Sequence, residues 1–287
     1  MAGVTAVLLW ASAASWITAA KGVPPFLYYG IETLIGFFIM AGKWRYLRLN
    51  PLPEFRATPL WYYLIGIMGI GLQGAAWVAA IQTAPPLEAI LFIYQWPMLV
   101  IVFTTLATGG RLGLHHGLAI VLGLSGLVTL LVGRGLDFGS FHLLPGHFWG
   151  LVAALTWSLF SAAAARRKDI GPNVVGAIML LSSVVNLSIW LAMGAELPPL
   201  QGLIICVIAS FVIMPGYILW DYGMKLGNTR IIGICSFMIP VLSTIILVLL
   251  GQAAFTLYLL PALLLVMAGI AAARYGEAWL KRAAPAQ

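Results

Sequence analysis

A tryptophan and a proline 20 residues apart occur twice in this chain, as Trp77 and Pro97 and again as Trp220 and Pro240, the second pair following the first at an offset of 143. The same offset carries Leu99 onto Leu242, Gly126 onto Gly269 and Gly133 onto Gly276. One unit has been used twice, so the fold must be built from two versions of one half, assigned to residues 1–136 and 147–287 of a single membrane domain. In an apolar chain such a duplication points to a secondary transporter, with the substrate site where the repeats meet near the bilayer midplane.

The apolar character is extreme. Charged residues make up 8% of the chain and hydrophobic ones 62%, against about 25% charged in an average soluble domain. The net charge of +7 does not argue for nucleic acid, because the basic residues sit in short loops between apolar runs, where they orient helices in a membrane. Cys206 and Cys235 fall inside apolar segments, so a disulfide framework is not expected. The first apolar run lacks a basic residue ahead of it and has Trp16 beyond its Ala-Ser-Ala, so it reads as a membrane helix and not as a signal peptide.

A spanning helix needs about 20 apolar residues, and that template predicts an all-α membrane protein of ten spans: 4–20, 26–42, 60–82, 87–107 and 117–133, then 147–165, 173–194, 201–223, 230–250 and 258–275. Proline pairs at 24–25, 85–86 and 198–199 fall between spans, where a missing N–H harms no helix. With the N-terminus in the cytoplasm, thirteen of the fifteen Lys and Arg residues lie on the cytoplasmic side and only Lys21 and Arg134 outside. Five crossings per half then make the second repeat enter from the opposite face, so the repeats are expected to be inverted.

The fragment from Leu219 to Gly227, LWDYGMKLG, the mid-span Pro97 and Pro240, and the closing Gly126 and Gly269 resemble the drug/metabolite transporter superfamily. Within it the chain is similar to the aromatic amino acid exporters of bacterial inner membranes. The resemblance implies a ten-helix basket of two inverted five-helix repeats with a central cavity lined by helices 1, 3, 4, 6, 8 and 9, exporting amino acids and related metabolites. The chain departs from the pattern in having Glu32 in the second span, where relatives carry Arg, and Gly109-Gly110 and Gly251-Gln252, where they carry Glu.

Several residues could carry function. Gln73, Ala76, Trp77 and Ala80 share one face of the third span; the alanines fit close helix packing, whereas an amide in hydrocarbon needs a partner or a wet cavity. In the fourth span Tyr94 and Gln95 adjoin Pro97, which frees the carbonyl one turn earlier, near Ile93. The related stretch of the ninth span places Ser236 and Phe237 before Pro240. Broken backbone of this kind supplies donors and acceptors for a zwitterion without buried charges. Trp77, Tyr94, Trp157 and Trp220 would then select aromatic or other apolar side chains, their alternative use being to wedge helices apart. Glu32 lies deep in a span, where a charge costs about 2.5–3.5 kcal/mol on insertion scales, and is by default a coupling candidate; a protonated structural role is its alternative. Asp221, followed at i+4 by Lys225, reads as a gate or an anchor. Ser182, Ser183 and Asn186 read as links between helices.

The four histidines lie at loops or span ends, and no metal site or cofactor is expected. No P-loop or H-E-x-x-H motif is present, so neither ATP hydrolysis nor another enzymatic activity is expected. The expected partners are the lipid bilayer and a small amino acid, with the chain a monomer or a weak oligomer in the bacterial inner membrane. An uncoupled pore, or an exporter of other small metabolites, remains the alternative.

Overall fold

The computed structural model describes residues 1–20, 22–140, 142–251 and 254–283; Lys21 and Gln252 lie outside the described residues. Every regular element among them is helical. In chain order these are α1 (Ala2–Trp10), α2 (Ala13–Ala19), α3 (Pro25–Tyr46), α4 (Leu52–Ala57), α5 (Leu60–Gly66), α6 (Gln73–Thr83), α7 (Pro86–Ile93), α8 (Trp96–Ala107), α9 (Leu114–Gly133), α10 (Pro145–Arg166), α11 (Val174–Ala192), α12 (Leu200–Leu226), α13 (Thr229–Cys235), α14 (Met238–Leu249) and α15 (Leu259–Ala283).

Among the described residues, eight helical stretches are long and apolar enough to cross a bilayer: Pro25–Tyr46, Leu60–Thr83, Glu88–Ala107, Leu114–Gly133, Pro145–Arg166, Val174–Ala192, Leu200–Leu226 and Thr229–Leu249. They coincide with the second to ninth expected spans to within a few residues. Ala2–Ile17 and Leu259–Ala272 are shorter apolar helices. The chain is a multi-pass membrane protein, since backbone in hydrocarbon must satisfy its own hydrogen bonds and helices do so within one segment.

Several of these stretches are not straight, and the sequence explains two of the departures. α7 stops at Ile93 and α8 resumes at Trp96; Pro97 cannot donate to the Ile93 carbonyl, and the chain instead turns through a Gln95 N–H to Phe92 carbonyl bond of 3.3 Å. α13 stops at Cys235 and α14 resumes at Met238 for the same reason, Pro240 leaving the Ser236 carbonyl to the Ile239 N–H at 3.0 Å. The N-terminal apolar helix is broken at Ala11-Ser12 without a proline, Ser12 Oγ donating back to the Leu9 carbonyl at 2.8 Å. Between α5 and α6 the residues Ile67–Leu72 are π-helical, a wide turn that re-aims the face beginning at Gln73. At the repeat-related stretch, α12 stays α-helical but carries Pro215.

The main core joins α1, α6 to α8 and α10 to α14, and a second cluster joins α9 and α15 to α8, α13 and α14. Glycines allow the close approaches, and they do so in exchanged pairs. Gly126 on α9 lies against Ala262, Leu265 and Val266 of α15, while Gly269 on α15 lies against Ala119, Leu122 and Gly123 of α9. Each of those partners is the offset-143 counterpart of one in the other set. Likewise Gly3 packs on Gly223, and Gly146 packs on Ala80.

Candidate substrate cavity

Elements from both halves enclose a cavity of about 90 Å³ lined by Trp10, Ala13, Tyr29, Gln73, Trp77, Ile93, Tyr94, Trp96, Trp157, Ile213, Tyr217, Ile239 and Ser243. The breaks between α1 and α2, between α7 and α8 and between α13 and α14 all reach it: Trp10 and Ala13 flank the first, Ile93, Tyr94 and Trp96 the second, and Ile239 follows the third. The wall is apolar and aromatic with a few polar groups, the usual character of a small-molecule site.

One end of the cavity is closed by a layer of indoles. Trp10 lies edge-on to Trp157 with ring centroids 5.3 Å apart, and Trp220 stands 5.3 Å from Trp10, 5.5 Å from Trp96 and 5.5 Å from Trp157. Such pairs contribute about 0.5–1.5 kcal/mol each beyond area burial. Two of their N–H groups are satisfied within the bundle: Trp220 Nε1 donates to Ser161 Oγ at 3.0 Å, and Trp10 Nε1 donates to the Ile213 carbonyl at 3.3 Å. Trp220 is fully buried beneath the cavity and does not line it. One residue further along α12 lies Asp221, whose Oδ2 accepts from Lys225 Nζ at 2.7 Å in a buried pair.

The polar wall centres on Gln73. Its Oε1 accepts from the Tyr217 hydroxyl at 3.2 Å, which leaves the amide N–H2 as a donor toward the cavity. Tyr29 lies beside Tyr217, in space vacated by Gly74, where a Cβ would overlap the Tyr29 ring.

Of the expected site residues, Gln73, Trp77, Tyr94 and Trp157 come together on the cavity wall, and Trp220 supports its floor. The other four lie off the wall. Gln95 turns back on its own helix, Nε2 donating to the Leu91 carbonyl at 2.9 Å. Ser236 is buried at the α13–α14 break and donates to the Ile232 carbonyl at 2.9 Å. Glu32 is 2% exposed on α3 and does not line the cavity. Asp221 is beneath the floor.

Trp10, Tyr29, Tyr217 and Ser243 were not singled out from the sequence. Trp10 and Ser243 sit near helix breaks, and the Gly74 gap that admits Tyr29 becomes visible only when α3 and α6 are packed together. Glu88 and His147 also meet, Oε2 and Nε2 standing 3.0 Å apart where α7 and α10 begin. His147 Nδ1 accepts the Leu144 N–H at 3.1 Å, so the ring proton is on Nε2, facing the carboxylate. Ser182 accepts nothing through Oγ, whereas Ser183 Oγ donates to the Gly30 carbonyl at 2.8 Å, a link between α11 and α3. Among the described residues no group of three His, Cys, Asp or Glu side chains is arranged to hold a metal.

A helical membrane protein with a mid-bundle cavity built from both halves is a transporter scaffold. The chain belongs to the EamA-like transporter family, whose model matches it twice, at residues 1–132 and 144–275. It is a transporter and not an enzyme. It is 33% identical over 276 residues to the aromatic amino acid exporter YddG of Ancylobacter novellus, covering 94% of this chain and 95% of that one. It is 23% identical over 260 residues to YvbV, an uncharacterized transporter of Bacillus subtilis, covering 86% of this chain and 81% of that one. A crystal structure with 29% sequence identity superposes with a TM-score of 0.86 over 98% of this chain and 97% of the other.

Proposed function

We propose that this protein exports amino acids, aromatic and other apolar ones foremost, from the bacterial cytoplasm by alternating access. The observation that carries the reading is the composition of the cavity wall: one amide donor at Gln73, hydroxyls at Tyr94, Tyr217 and Ser243, the carbonyl at Ile93 freed by Pro97, and indole faces at Trp10, Trp77, Trp96 and Trp157. A zwitterion needs a donor for its carboxylate and acceptors for its ammonium group. Gln73 Nε2 serves the first, and the Ile93 carbonyl with the hydroxyls serves the second. The indoles take an apolar side chain and attract the ammonium group through their faces. The name of the 33% identical relative supports the same substrate class.

The architecture in this reading is ten spans, with residues 1–136 and 147–287 as inverted five-helix repeats and both termini in the cytoplasm of a cell with the chain in its inner membrane. The two short apolar helices at the ends of the chain supply the first and tenth spans. The exchanged glycine contacts of α9 with α15, and of Gly3 and Gly146, support a pseudo-two-fold axis, because a two-fold requires that each contact have a partner with the roles reversed. The cavity is then open toward the outside and shut from the cytoplasm by the indole layer and the Asp221–Lys225 pair. The monomer contains the whole site.

Counterflow in liposomes tests this. Vesicles preloaded with an unlabelled aromatic amino acid take up labelled amino acid faster than empty ones if the protein is a carrier. A pore shows equal uptake in both, and that result overturns the reading.

A further inference from the structure

Gln73 comes from the first half of the chain and Tyr217 from the second, and their hydrogen bond has no copy in the repeat. The offset of 143 carries Gln73 onto Gly216 and Gly74 onto Tyr217, so each half supplies one polar side chain and one glycine. Both glycine gaps are occupied by aromatic rings. A Cβ at Gly216 would run into the Trp10 indole, and one at Gly74 would overlap the Tyr29 ring. The cavity is therefore lopsided, with the amide on one side and indoles on the other. Tyr217 joins the two: its ring packs edge-on against Trp10 and Trp157, with centroids 5.1 and 5.3 Å away, and its hydroxyl donates to Gln73 Oε1 at 3.2 Å.

That hydroxyl matters because a primary amide has two opposite ends. Its NH2 donates, its oxygen accepts, and a half-turn about the last side-chain bond exchanges them at little cost. An untethered glutamine on the wall would turn its donor to a carboxylate or its acceptor to an ammonium group. With Oε1 held by a tyrosine that is itself wedged between two indoles, Nε2 is the end that faces the cavity. No Arg or Lys lines the cavity, so a carboxylate there is met by neutral donors, and their orientation decides what is accepted.

We propose, resting on the amino acid reading, that Tyr217 is a positioning residue for substrate choice. By holding the Gln73 oxygen it commits the wall to a carboxylate, and so selects amino acids against the amines that lack one. An amine with the same side chain fills the cavity equally well but leaves the amide N–H2 without an acceptor, and an unmet polar group in a filled site is what rejects such an analogue.

Competition binding to the purified protein in nanodiscs tests this, labelled tryptophan being displaced by unlabelled tryptophan or by tryptamine, which keeps the indole and the ammonium group and lacks the carboxylate. The parent is expected to prefer tryptophan. Tyr217→Phe removes one oxygen and keeps the ring on Trp10 and Trp157, and is expected to lower that preference by about 2- to 10-fold, the effect of one net hydrogen bond. Gln73→Leu is expected to lower it at least as far. Adding Tyr217→Phe to Gln73→Leu is then expected to change the preference by less than about 2-fold, because the hydroxyl has nothing left to position. Should Tyr217→Phe misfold, Tyr217→Met, which also lacks the hydroxyl, takes its place. An unchanged preference in the single variant overturns the inference, and so does a loss that persists at full size in the Gln73→Leu background, since that is the mark of packing alone. A parent that binds tryptophan and tryptamine equally defeats the positioning role and leaves the amino acid reading standing, whereas a parent without saturable tryptophan binding defeats both.

Discussion

Lys225 Nζ donates to Asp221 Oδ2 at 2.7 Å, one turn away on α12, with the two side chains 5% and 0% exposed. Among the described residues Asp221 Oδ1 has no hydrogen-bond partner, and Lys225 is the cation paired with this carboxylate. Removing either member leaves an uncompensated buried charge, which costs about 3–5 kcal/mol, whereas replacing both with neutral groups of similar volume is close to neutral. Asp221→Asn and Lys225→Met are each expected to lower the unfolding midpoint in detergent sharply, and Asp221→Asn with Lys225→Met to recover most of it. Additive losses in the double variant would show that the two residues act independently.

Glu32 makes a second, separable prediction. It sits on α3 but off the cavity wall, and of the helices packed on α3 it is α12 that brings titratable side chains toward it, Tyr217 and Cys206, beside Tyr28 and Tyr29 of α3 itself. A carboxyl in that position can exchange a proton without touching the substrate. Glu32→Gln is expected to keep counterflow within about 3-fold of the parent, a change of under ~1 kcal/mol, and to remove any response of net transport to a pH gradient. A gradient response that survives the substitution would leave Glu32 a packing residue.

Gln73 and Gln95 looked alike as sequence, each an amide in mid-span, and the structure separates them. Gln73 lines the cavity and holds Tyr217; Gln95 bonds a carbonyl of its own helix. Losing a ligand-facing amide costs about 1–3 kcal/mol, a 5- to 150-fold loss of affinity. Gln73→Ala and Trp77→Ala are expected to weaken amino acid binding by amounts in that range, measured as the concentration for half-maximal counterflow. Gln95→Ala is expected to change it less than about 3-fold, and so is Leu264→Ala, which is 61% exposed on α15. A larger loss for Gln95 than for Gln73 would put the substrate on another face of α7 and α8.

The positions of the spans were legible because a bilayer imposes a length and a composition that few charges interrupt, and the breaks near Ile93 and Ser236 because proline removes a definite donor. The break at Ala11-Ser12 and the π turn at Ile67–Leu72 have no such mark. Both depend on what packs against them. The cavity wall was half legible for the same reason. An amide in hydrocarbon announces itself, as Gln73 does, but Trp10, Tyr29 and Tyr217 resemble interfacial or packing aromatics until α1, α3 and α12 converge. Pairings across the bundle, such as Trp220 with Ser161 or Glu88 with His147, join residues far apart in sequence whose registers no local pattern fixes.

The proposed orientation of the bundle rests on where the basic residues gather in space. Lys43 Nζ donates to Asn173 Oδ1 at 3.4 Å and stands 5.8 Å from the Tyr222 ring, the Arg167 guanidinium is 5.7 Å from the Trp61 ring, and Arg230 Nε donates to Thr105 Oγ1 at 3.3 Å. These contacts join the C-terminal ends of α3, α8, α10 and α12 to the starts of α5, α11 and α13, so one end of the bundle carries the basic loops. At the other end α7 and α10 begin, with Arg134 nearby as a single described basic residue of the α9–α10 connection. Charge asymmetry of that kind is retained on the cytoplasmic side during insertion. In a Cys206→Ala, Cys235→Ala background, a membrane-impermeant maleimide applied to intact cells is therefore expected to label Leu143→Cys and Leu197→Cys, both exposed before α10 and α12. It is expected to leave Arg56→Cys and Lys168→Cys, exposed at the basic end, unlabelled until the cells are opened. Labelling of the second pair in intact cells, with protection of the first, would reverse the orientation and with it the assignment of the indole layer to the cytoplasmic side.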